Sequence, residues 1–218
     1  MSMKLYTYWR SSAAYRVRIV LNLKGLRAEQ IPVDLAPPKS ESESAEFLTI
    51  NPAGRVPALD LGDGRLLTQS LAIVDYLDET HPEPPLLPHD PVERAAIRAF
   101  AQTIACDIHP LNNIRVMKFL WGSMGVEREA VTGTWYPEWI RSGFTALEET
   151  LARRNWRGPF TFGEYVTLAD VCLAPQVYNA RRFDMDLGPY ERLTRIDAEL
   201  MKLDAFARAA PDVQPDAA

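Results

Sequence analysis

Long apolar runs are missing from this sequence. No stretch of about 18 consecutive apolar residues occurs, whereas a helix that crosses a bilayer needs about 20. The first residues, from Met1 to Tyr6, also lack the apolar core and the cleavage site of a secretory signal. We therefore expect a cytoplasmic protein with no membrane partner.

A basic excess is missing as well. Lys and Arg together number 24 against 29 Asp and Glu, which gives a formal net charge of -5. A general binder of nucleic acid usually carries a basic excess, so we expect no nucleic-acid partner. A local basic pocket stays compatible with this total.

Cysteine is scarce, and the chain has only Cys106 and Cys172. The two do not form a CxxC pair and show no metal-ligand spacing, so we expect no metal site. Both fall inside helical patterns, and we predict that they are small buried thiols. Unpaired cysteines of this kind fit a reducing compartment.

The first third of the chain alternates strand and helix signals. Helical spacing of apolar residues predicts a helix that ends at Lys24 and Gly25, and the Gly-Asp-Gly sequence at 62–64 predicts a hairpin. In chain order we predict strand 4–8, helix 12–24, strand 30–35, an irregular segment 37–44, strands 56–61 and 65–68, and a helix 70–79 capped by Ser70. This order predicts one sheet with both parallel and antiparallel pairs, and helices packed on it.

The remainder of the chain is helical in pattern. Residues 81–91 contain five prolines, which is typical of a linker, and a helix begins at their end. Pro110 should kink or end that helix. Later helices, the second of which begins with a Thr-Leu-Ala-Asp capping box, are predicted at 136–151, 167–180 and 190–205. We therefore predict two domains, 1–84 and 85–218.

Arg10, Ser11 and Ser12 lie where the first strand passes into the first helix. Backbone N–H groups and the helix dipole give such a position partial positive charge, and a thiol bound there has a lowered pKa because its thiolate gains those donors. A serine hydroxyl adds another donor. The alternative is that the serines only cap the helix, and Tyr8, at the end of the strand, is a rival donor to the thiolate.

Two further positions suggest a peptide ligand. If the Val56-Pro57 bond is cis, a minority state, the N–H and C=O of Val56 face outward to pair with a peptide; otherwise the pair only opens a strand. Gln69 and Ser70 begin a helix, and a helix start binds a carboxylate well, unless the serine merely caps it. Together with the serine run, these positions describe a site for a short peptide that carries a thiol and a carboxylate.

Residues 8–19, YWRSSAAYRVRI, resemble the serine-rich signature of the zeta-class glutathione transferases, a class that includes the maleylacetoacetate isomerases. Further matches cover nearly the whole chain and lie at 51–59, 69–73, 106–113, 167–170, 175–183 and 214–216. The serine run and the segments around His109 and Arg182 point to the isomerases in particular. Ala13 stands where many members have cysteine, which puts a role for a protein thiol in doubt and loosens the substrate assignment.

The resemblance implies an α/β plus all-α fold. A thioredoxin-like, glutathione-binding domain with a mixed sheet would span 1–84, an all-helical substrate-binding domain would span 85–218, and the protein would be a homodimer. It also implies that glutathione is the cofactor and is bound by Ser11, Ser12, Val56, Pro57, Gln69 and Ser70.

The resemblance also implies catalytic roles. We assign the thiolate to Ser11, with Ser12 and Arg10 beside it. Arg10 and Arg182 are candidates for two substrate carboxylates, since guanidinium groups bind carboxylates bidentately, and His109 and Asn112 are candidates to line the cleft. The alternatives are a helix-end ion pair for Arg182 and structural roles for His109 and Asn112.

The expected reaction is the cis–trans isomerisation of maleylacetoacetate, a small diacid, to fumarylacetoacetate in tyrosine and phenylalanine catabolism. Reversible addition of the glutathione thiolate would free the double bond to rotate. Alternatives are a maleylpyruvate isomerase of gentisate degradation and a glutathione transferase or dehalogenase of small 2-halo acids. A non-catalytic binding module of the same fold is a further alternative from another class.

Overall fold

The computed structural model describes residues 2–217, which divide into two compact units. The first runs to Pro85 and takes in the chain from Leu203 onward, and the second is Leu86–Lys202. The division falls within one residue of the predicted boundary between 84 and 85. The segment from Leu203 onward, which the sequence placed in the second domain, belongs to the first unit instead.

The sheet of the first unit has four strands, β1 Met3–Thr7, β2 Ala28–Pro32, β3 Ala58–Asp60 and β4 Leu66–Thr68. Their order is β2-β1-β3-β4, with β2 parallel to β1, and β3 antiparallel to both β1 and β4. On the central strand, the fully buried Leu5 pairs with Gln30 on one side and Leu59 on the other. The predicted mixed sheet is therefore confirmed.

Three helices accompany this sheet, α1 Ser12–Leu23, α2 Ala45–Ile50 and α3 Ser70–Thr80. α1 packs against α3, and the Lys24 amine after α1 contacts the Asp78 carboxylate on α3 at 2.6 Å. Gly25 then turns the chain with a φ of 64°, as predicted for the end of that helix. The sequence did not predict α2, a short helix that buries Phe47 and follows the irregular segment.

The second unit is helical throughout its regular structure. Its α-helices are α4 Pro91–Gln102, α5 Ile114–Lys118, α6 Arg128–Ala130, α7 Tyr136–Arg153, α8 Leu168–Arg182 and α9 Glu191–Leu200, and π-helical turns occupy Thr103–Ile108, Phe119–Ser123 and Val131–Trp135. The helix that begins with Pro91 ends before Pro110, as predicted, but its last turn is π-helical. Short helices between 114 and 135 were not predicted, because none is long enough to show a clear apolar period.

The capping box at the start of α8 is confirmed. The Asp170 carboxylate accepts the N–H of Thr167 and the N–H of Thr161, both at 2.8 Å. Asp170 is fully buried, and this burial raises the pKa of its carboxyl group despite those hydrogen bonds. The network therefore fixes the segment before α8 to its first turn.

The C-terminal segment joins the first unit through hydrogen bonds to α1 and to the turn before it. It contains the short helix α10 Asp204–Ala207, whose Phe206 is fully buried. The Arg18 guanidinium donates to the carbonyl of Ala209 at 3.0 Å, and the Asp216 carboxylate accepts the N–H of Trp9 at 2.9 Å. The predicted helix 190–205 consequently breaks after Leu200, so that its last part can pack against α1.

The two thiols differ in environment. Cys172 is buried in α8, as predicted, but Cys106 is exposed. The prediction for Cys106 was wrong because the buried positions of its π-helical turn are taken by Ile104 and Ile108. Within residues 2–217, no helix combines the length and the apolar character needed to span a bilayer.

Candidate active site

The junction between β1 and α1 holds the predicted serines. Ser11 is the N-cap of α1, and its hydroxyl oxygen accepts the N–H of Ala14 at 3.2 Å. This bond uses the oxygen of Ser11 as acceptor, so the hydroxyl proton stays available to donate to a ligand. Capping and ligand binding, two alternatives at the sequence level, are therefore compatible in one residue.

Backbone donors add to this serine. Among residues 2–217, the N–H of Ala13 at the start of α1 has no hydrogen-bond acceptor, as expected for the first turn of a helix. Ser12 is the first residue of α1 and is 6% exposed, whereas Ser11 is half-buried. A free N–H, a serine hydroxyl and the positive end of the helix dipole together favour a bound anion.

Tyr8 and Arg10 lie at the same junction. The Arg10 guanidinium donates to the Tyr8 hydroxyl at 3.0 Å and lies over the ring of Trp9, 4.5 Å from its centroid. Because the Tyr8 oxygen acts as acceptor here, its own proton is also free to donate. Tyr8 therefore stays a rival of Ser11, and its hydroxyl has a cation beside it.

Two residues without a predicted role, Arg18 and Asp216, bind the backbone of the junction between β1 and α1 at Trp9. Arg18, 3% exposed, donates to the carbonyl of Trp9 at 2.9 Å and to the Thr7 hydroxyl at 3.0 Å. Burial lowers the pKa of Arg18 to about 10, and the charge of Asp216 opposes that shift. Both residues lie in the matched segments at 8–19 and 214–216, which was the available signal.

The Val56-Pro57 peptide bond is cis, the alternative that the sequence analysis kept open. Among residues 2–217, neither the N–H nor the C=O of Val56 takes part in a hydrogen bond. The preceding turn is fixed by Asn51, whose amide donates to the carbonyl of Arg55 at 2.7 Å and accepts the N–H of Ala53 at 3.0 Å. The Val56 backbone can therefore pair with an extended ligand.

The start of α3 differs from the prediction. Gln69, not Ser70, occupies the N-cap, and its side chain makes no capping hydrogen bond. Its φ is 67°, a left-handed value that costs about 1–3 kcal/mol in a non-glycine residue and is typical of ligand-binding segments. The first N–H groups of α3 thus lack a capping side chain and are placed to bind an anionic group.

Ser70 is the first residue of α3 and is buried. Its hydroxyl oxygen accepts a hydrogen bond from the guanidinium of Arg16 at 3.3 Å. Arg16 is itself 2% exposed, and the sequence analysis did not assign it a role although it lies inside the serine-rich signature. The first unit therefore contains three candidate ligand-binding groups: the start of α1, the start of α3 and the Val56 backbone.

The second unit holds the other candidates. The Asn112 amide, buried, donates to the carbonyl of Tyr136 at 2.9 Å, and its Oδ1 has no partner within residues 2–217. The Tyr136 ring stacks on Phe183 with 3.7 Å between centroids, and the Arg182 guanidinium lies 4.7 Å from the centre of the Phe183 ring. The sequence did not foresee that Tyr136 joins Asn112 to the Arg182 segment.

The cluster of Asn112, Tyr136, Arg182 and Phe183 contains one cation, Arg182, and one buried hydroxyl group, that of Tyr136. Burial raises the pKa of the Tyr136 hydroxyl, while the positive charge of Arg182 acts in the opposite direction. His109, half-buried at the end of the π-helical turn, accepts the Asn112 N–H at its carbonyl at 3.2 Å. His109 therefore borders the cluster through its backbone.

The alternative of a helix-end ion pair does not apply to Arg182. Its neighbour Arg181 takes that role, with 2.5 Å between its guanidinium and the Asp197 carboxylate. In the part of the chain that the structure describes, Arg182 is exposed and forms no ion pair. It is therefore available to an anionic ligand.

Comparison with known proteins identifies the family. Residues 1–79 match the family model described as glutathione S-transferase, N-terminal domain. A solved maleylpyruvate isomerase, described as a bacterial glutathione S-transferase in the zeta class, is 46% identical, with a TM-score of 0.94 over 99% of this chain and 100% of that chain. This chain belongs to the zeta class of glutathione transferases.

Other relatives of this zeta-class transferase carry related names. A "Probable maleylacetoacetate isomerase" of Vibrio cholerae is 50% identical over 100% of this chain and 99% of its own length. The maleylpyruvate isomerase of a Ralstonia species is 47% identical over 99% of this chain and 100% of its own. A solved maleylacetoacetate isomerase of Methylobacterium extorquens, with malonate and glutathione bound, is 44% identical with a TM-score of 0.94, and 99% of each chain is covered.

Proposed function

We propose that this zeta-class transferase is a glutathione-dependent isomerase that converts maleylacetoacetate to fumarylacetoacetate. The observation that carries the proposal is the start of α1, which presents the Ser11 hydroxyl and the free N–H of Ala13. Such a site stabilises a thiolate, which this isomerisation requires as its nucleophile. The full-length similarity to isomerases of this class supports the choice of reaction.

The residues of the first unit fit glutathione. The tripeptide has a thiol, two carboxylates and a peptide backbone, and the unit offers a separate group to each kind of chemistry. The start of α1 suits the sulfur, the unpaired backbone of Val56 suits a peptide group, and the uncapped start of α3 suits a carboxylate. The unpaired guanidinium nitrogens of the buried Arg16, next to Ser70, further favour an anion at α3.

Bound glutathione supplies a thiolate that adds reversibly to the conjugated double bond, so that the former double bond can rotate. The chain's part is to lower the pKa of that thiol, and Ser11 and the first N–H groups of α1 do so by donating to the anion. Tyr8 is the second candidate donor. No protein thiol is needed at Ala13 for this chemistry.

Arg10 and Arg182 are each a candidate for binding a substrate carboxylate. Each guanidinium rests on an aromatic ring, which orders the side chain while its N–H donors stay available. Asn112, whose Oδ1 is unpaired within the described chain, and His109 are candidates for further substrate contacts. Positive charge at these positions favours a diacid over a neutral electrophile.

We extend the proposal to the cellular setting. The enzyme would act in the cytoplasm as a homodimer, within tyrosine and phenylalanine catabolism. Its two cysteines are free thiols, which fits a reducing compartment such as the cytoplasm. Relatives that are named maleylacetoacetate isomerases support the place in catabolism. Light scattering combined with size-exclusion chromatography measures the oligomeric state directly, and a monomer at cellular concentration would exclude the dimer.

The second candidate function is isomerisation of maleylpyruvate, a shorter keto-diacid, and the 47% identity to the Ralstonia isomerase favours it. An ultraviolet isomerisation assay with each substrate, with and without glutathione, separates the two by the ratio of their kcat/KM values. We expect activity only with glutathione and a higher kcat/KM for maleylacetoacetate. A thioether product, or halide release from a 2-halo acid without isomerisation, would instead assign a transferase or dehalogenase.

A further inference from the structure

The Arg16 side chain, which contacts Ser70 at the start of α3, is a buried cation with no counter-ion among residues 2–217. Arg16 is 2% exposed, and its only side-chain hydrogen bond among residues 2–217 is the 3.3 Å contact from Nη1 to the Ser70 hydroxyl. Its Nε and Nη2 are shielded from solvent and have no partner. No carboxylate of the described chain pairs with it. The other buried arginine of α1, Arg18, is by contrast held by four hydrogen bonds.

This arrangement is unfavourable for folding alone. Burying a charge without a partner costs several kcal/mol, and guanidinium cannot lose its proton to avoid that cost. A hydrophobic side chain of similar volume would fill the same space without this desolvation penalty. An anion bound at the nearby start of α3 would offset this buried charge.

The position of that anion follows from the geometry. The guanidinium is planar and rigid, so the unpaired nitrogens lie next to the nitrogen that contacts Ser70. Because the Ser70 oxygen accepts from Arg16, the Ser70 hydroxyl proton is directed away from the arginine. The uncapped N–H groups at the start of α3 lie on the same helix end, and their partial charge adds to that of the guanidinium.

We infer that Arg16 is a positioning residue for a ligand carboxylate at the start of α3: it orients the Ser70 hydroxyl and supplies the buried positive charge that the carboxylate neutralises. The inference rests on the proposed function, in which glutathione is the ligand. Because the Arg16 side chain is shielded from solvent, it acts on the carboxylate through the Ser70 hydroxyl and through its positive charge at short range. It is expected to govern glutathione affinity and KM, not the rate of the chemical step at saturation.

The test compares glutathione with two analogues by isothermal titration calorimetry. One analogue carries an amide in place of the γ-glutamyl carboxylate, and the other carries an amide in place of the glycine carboxylate. We expect the wild type to prefer glutathione to one analogue, and Arg16→Met to reduce that preference about ten- to hundred-fold, the range for a hydrogen bond to a charged group. Arg16→Lys, which keeps the charge, should restore part of it, and the analogue affected identifies the carboxylate.

A matched control is Arg94→Met in the second unit, since Arg94 is a half-buried arginine with one side-chain hydrogen bond, to the Pro88 carbonyl. It should leave the preference unchanged. If Arg16→Met weakens all three ligands equally, the arginine has only a structural role and the inference is wrong. If circular dichroism shows that Arg16→Met does not fold, Arg16→Gln replaces it. The inference is also overturned if the wild type prefers glutathione to each analogue by less than about tenfold.

The result is separable from the proposed function. A wild type that does not bind glutathione at all contradicts the proposed function itself. A wild type that binds glutathione and isomerises the substrate, but shows the same preference after removal of the Arg16 charge, contradicts only the role of Arg16. In steady-state kinetics the inference predicts a raised KM for glutathione in Arg16→Lys, with kcat close to that of the wild type.

Discussion

Substitution of Ser11 by alanine tests the centre of the proposed site. The change removes one hydroxyl, which both accepts the Ala14 N–H at 3.2 Å and is proposed to donate to the glutathione thiolate. Loss of the cap should lower the free energy of unfolding by about 1 kcal/mol. Loss of the donor should act separately on the bound thiol.

The magnitude for the thiol follows from the hydrogen bond to a charged group, about 1.5–3 kcal/mol. At about 1.4 kcal/mol per pKa unit, Ser11→Ala should raise the pKa of bound glutathione by about one to two units. The sign is fixed by the donor, because it stabilises only the ionised sulfur and its loss shifts ionisation to higher pH. Activity near neutral pH should therefore fall about ten- to hundred-fold and recover as the pH rises.

The assay is the ultraviolet absorbance of the thiolate in the complex with glutathione, titrated against pH. Ser44→Ala is the matched control, since the Ser44 hydroxyl caps α2 in the same way, accepting the N–H of Phe47 at 3.1 Å. It should lower stability by a similar amount and leave the titration midpoint unchanged. If Ser11→Ala leaves the midpoint in place while Tyr8→Phe raises it, the thiolate assignment moves to Tyr8.

Three further predictions concern the framework of the site and of the second unit. Asp216→Ala should lower the free energy of unfolding by about 1–3 kcal/mol because it leaves the Trp9 N–H without its acceptor, as measured by urea denaturation. Asp170→Ala should cost about 3–5 kcal/mol by leaving several buried donors unpaired. Gly143→Ala should lower the Tm, because its new Cβ would lie 2.2 Å from the side chain of Ile108 and overpacking of this kind costs about 1–3 kcal/mol.

The effect of Asp170 also depends on pH. Its pKa is raised in the folded protein, so the folded state holds the proton more tightly than the unfolded state does. The proton-linked part of the stability that Asp170 contributes is then largest below its unfolded pKa and is lost as the pH rises through the folded value, whereas the hydrogen bonds that its oxygens accept persist. The difference in unfolding free energy between wild type and Asp170→Ala should therefore grow as the pH falls from neutral toward 4. A constant or shrinking difference would contradict this reasoning.

Control variants isolate the other two effects. Gly133→Ala places its Cβ where no atom lies within 4 Å, so it should not lower the Tm. In an Ile108→Ala background, Gly143→Ala should lower the Tm less than it does in the wild type. Asp212→Ala changes an exposed carboxylate of the same C-terminal segment as Asp216 and should stay within about 0.5 kcal/mol of the wild type. Equal losses for the two aspartates would remove the specific role of the Trp9 contact.

Features that depend on neighbouring residues were accessible from the sequence. The glycine after α1, the turn between β3 and β4, the proline in the first turn of α4 and the capping box of α8 all follow from backbone preferences over a few residues. The alternation of elements in the first third then left few ways to arrange one sheet. The serine run at the start of α1 also placed the candidate thiolate site, because a helix start has the same donors in any fold.

Features that join distant segments required the tertiary structure. Arg16 meets Ser70 across 54 positions, and Trp9 meets Asp216 across 207, and no local pattern encodes either pair. The same holds for the cluster that brings Asn112 and Tyr136 to Arg182, and for the exposure of Cys106. These contacts depend on which faces of α1, α8 and the C-terminal segment are buried, and side-chain burial is decided by packing among elements rather than by the residues' own preferences.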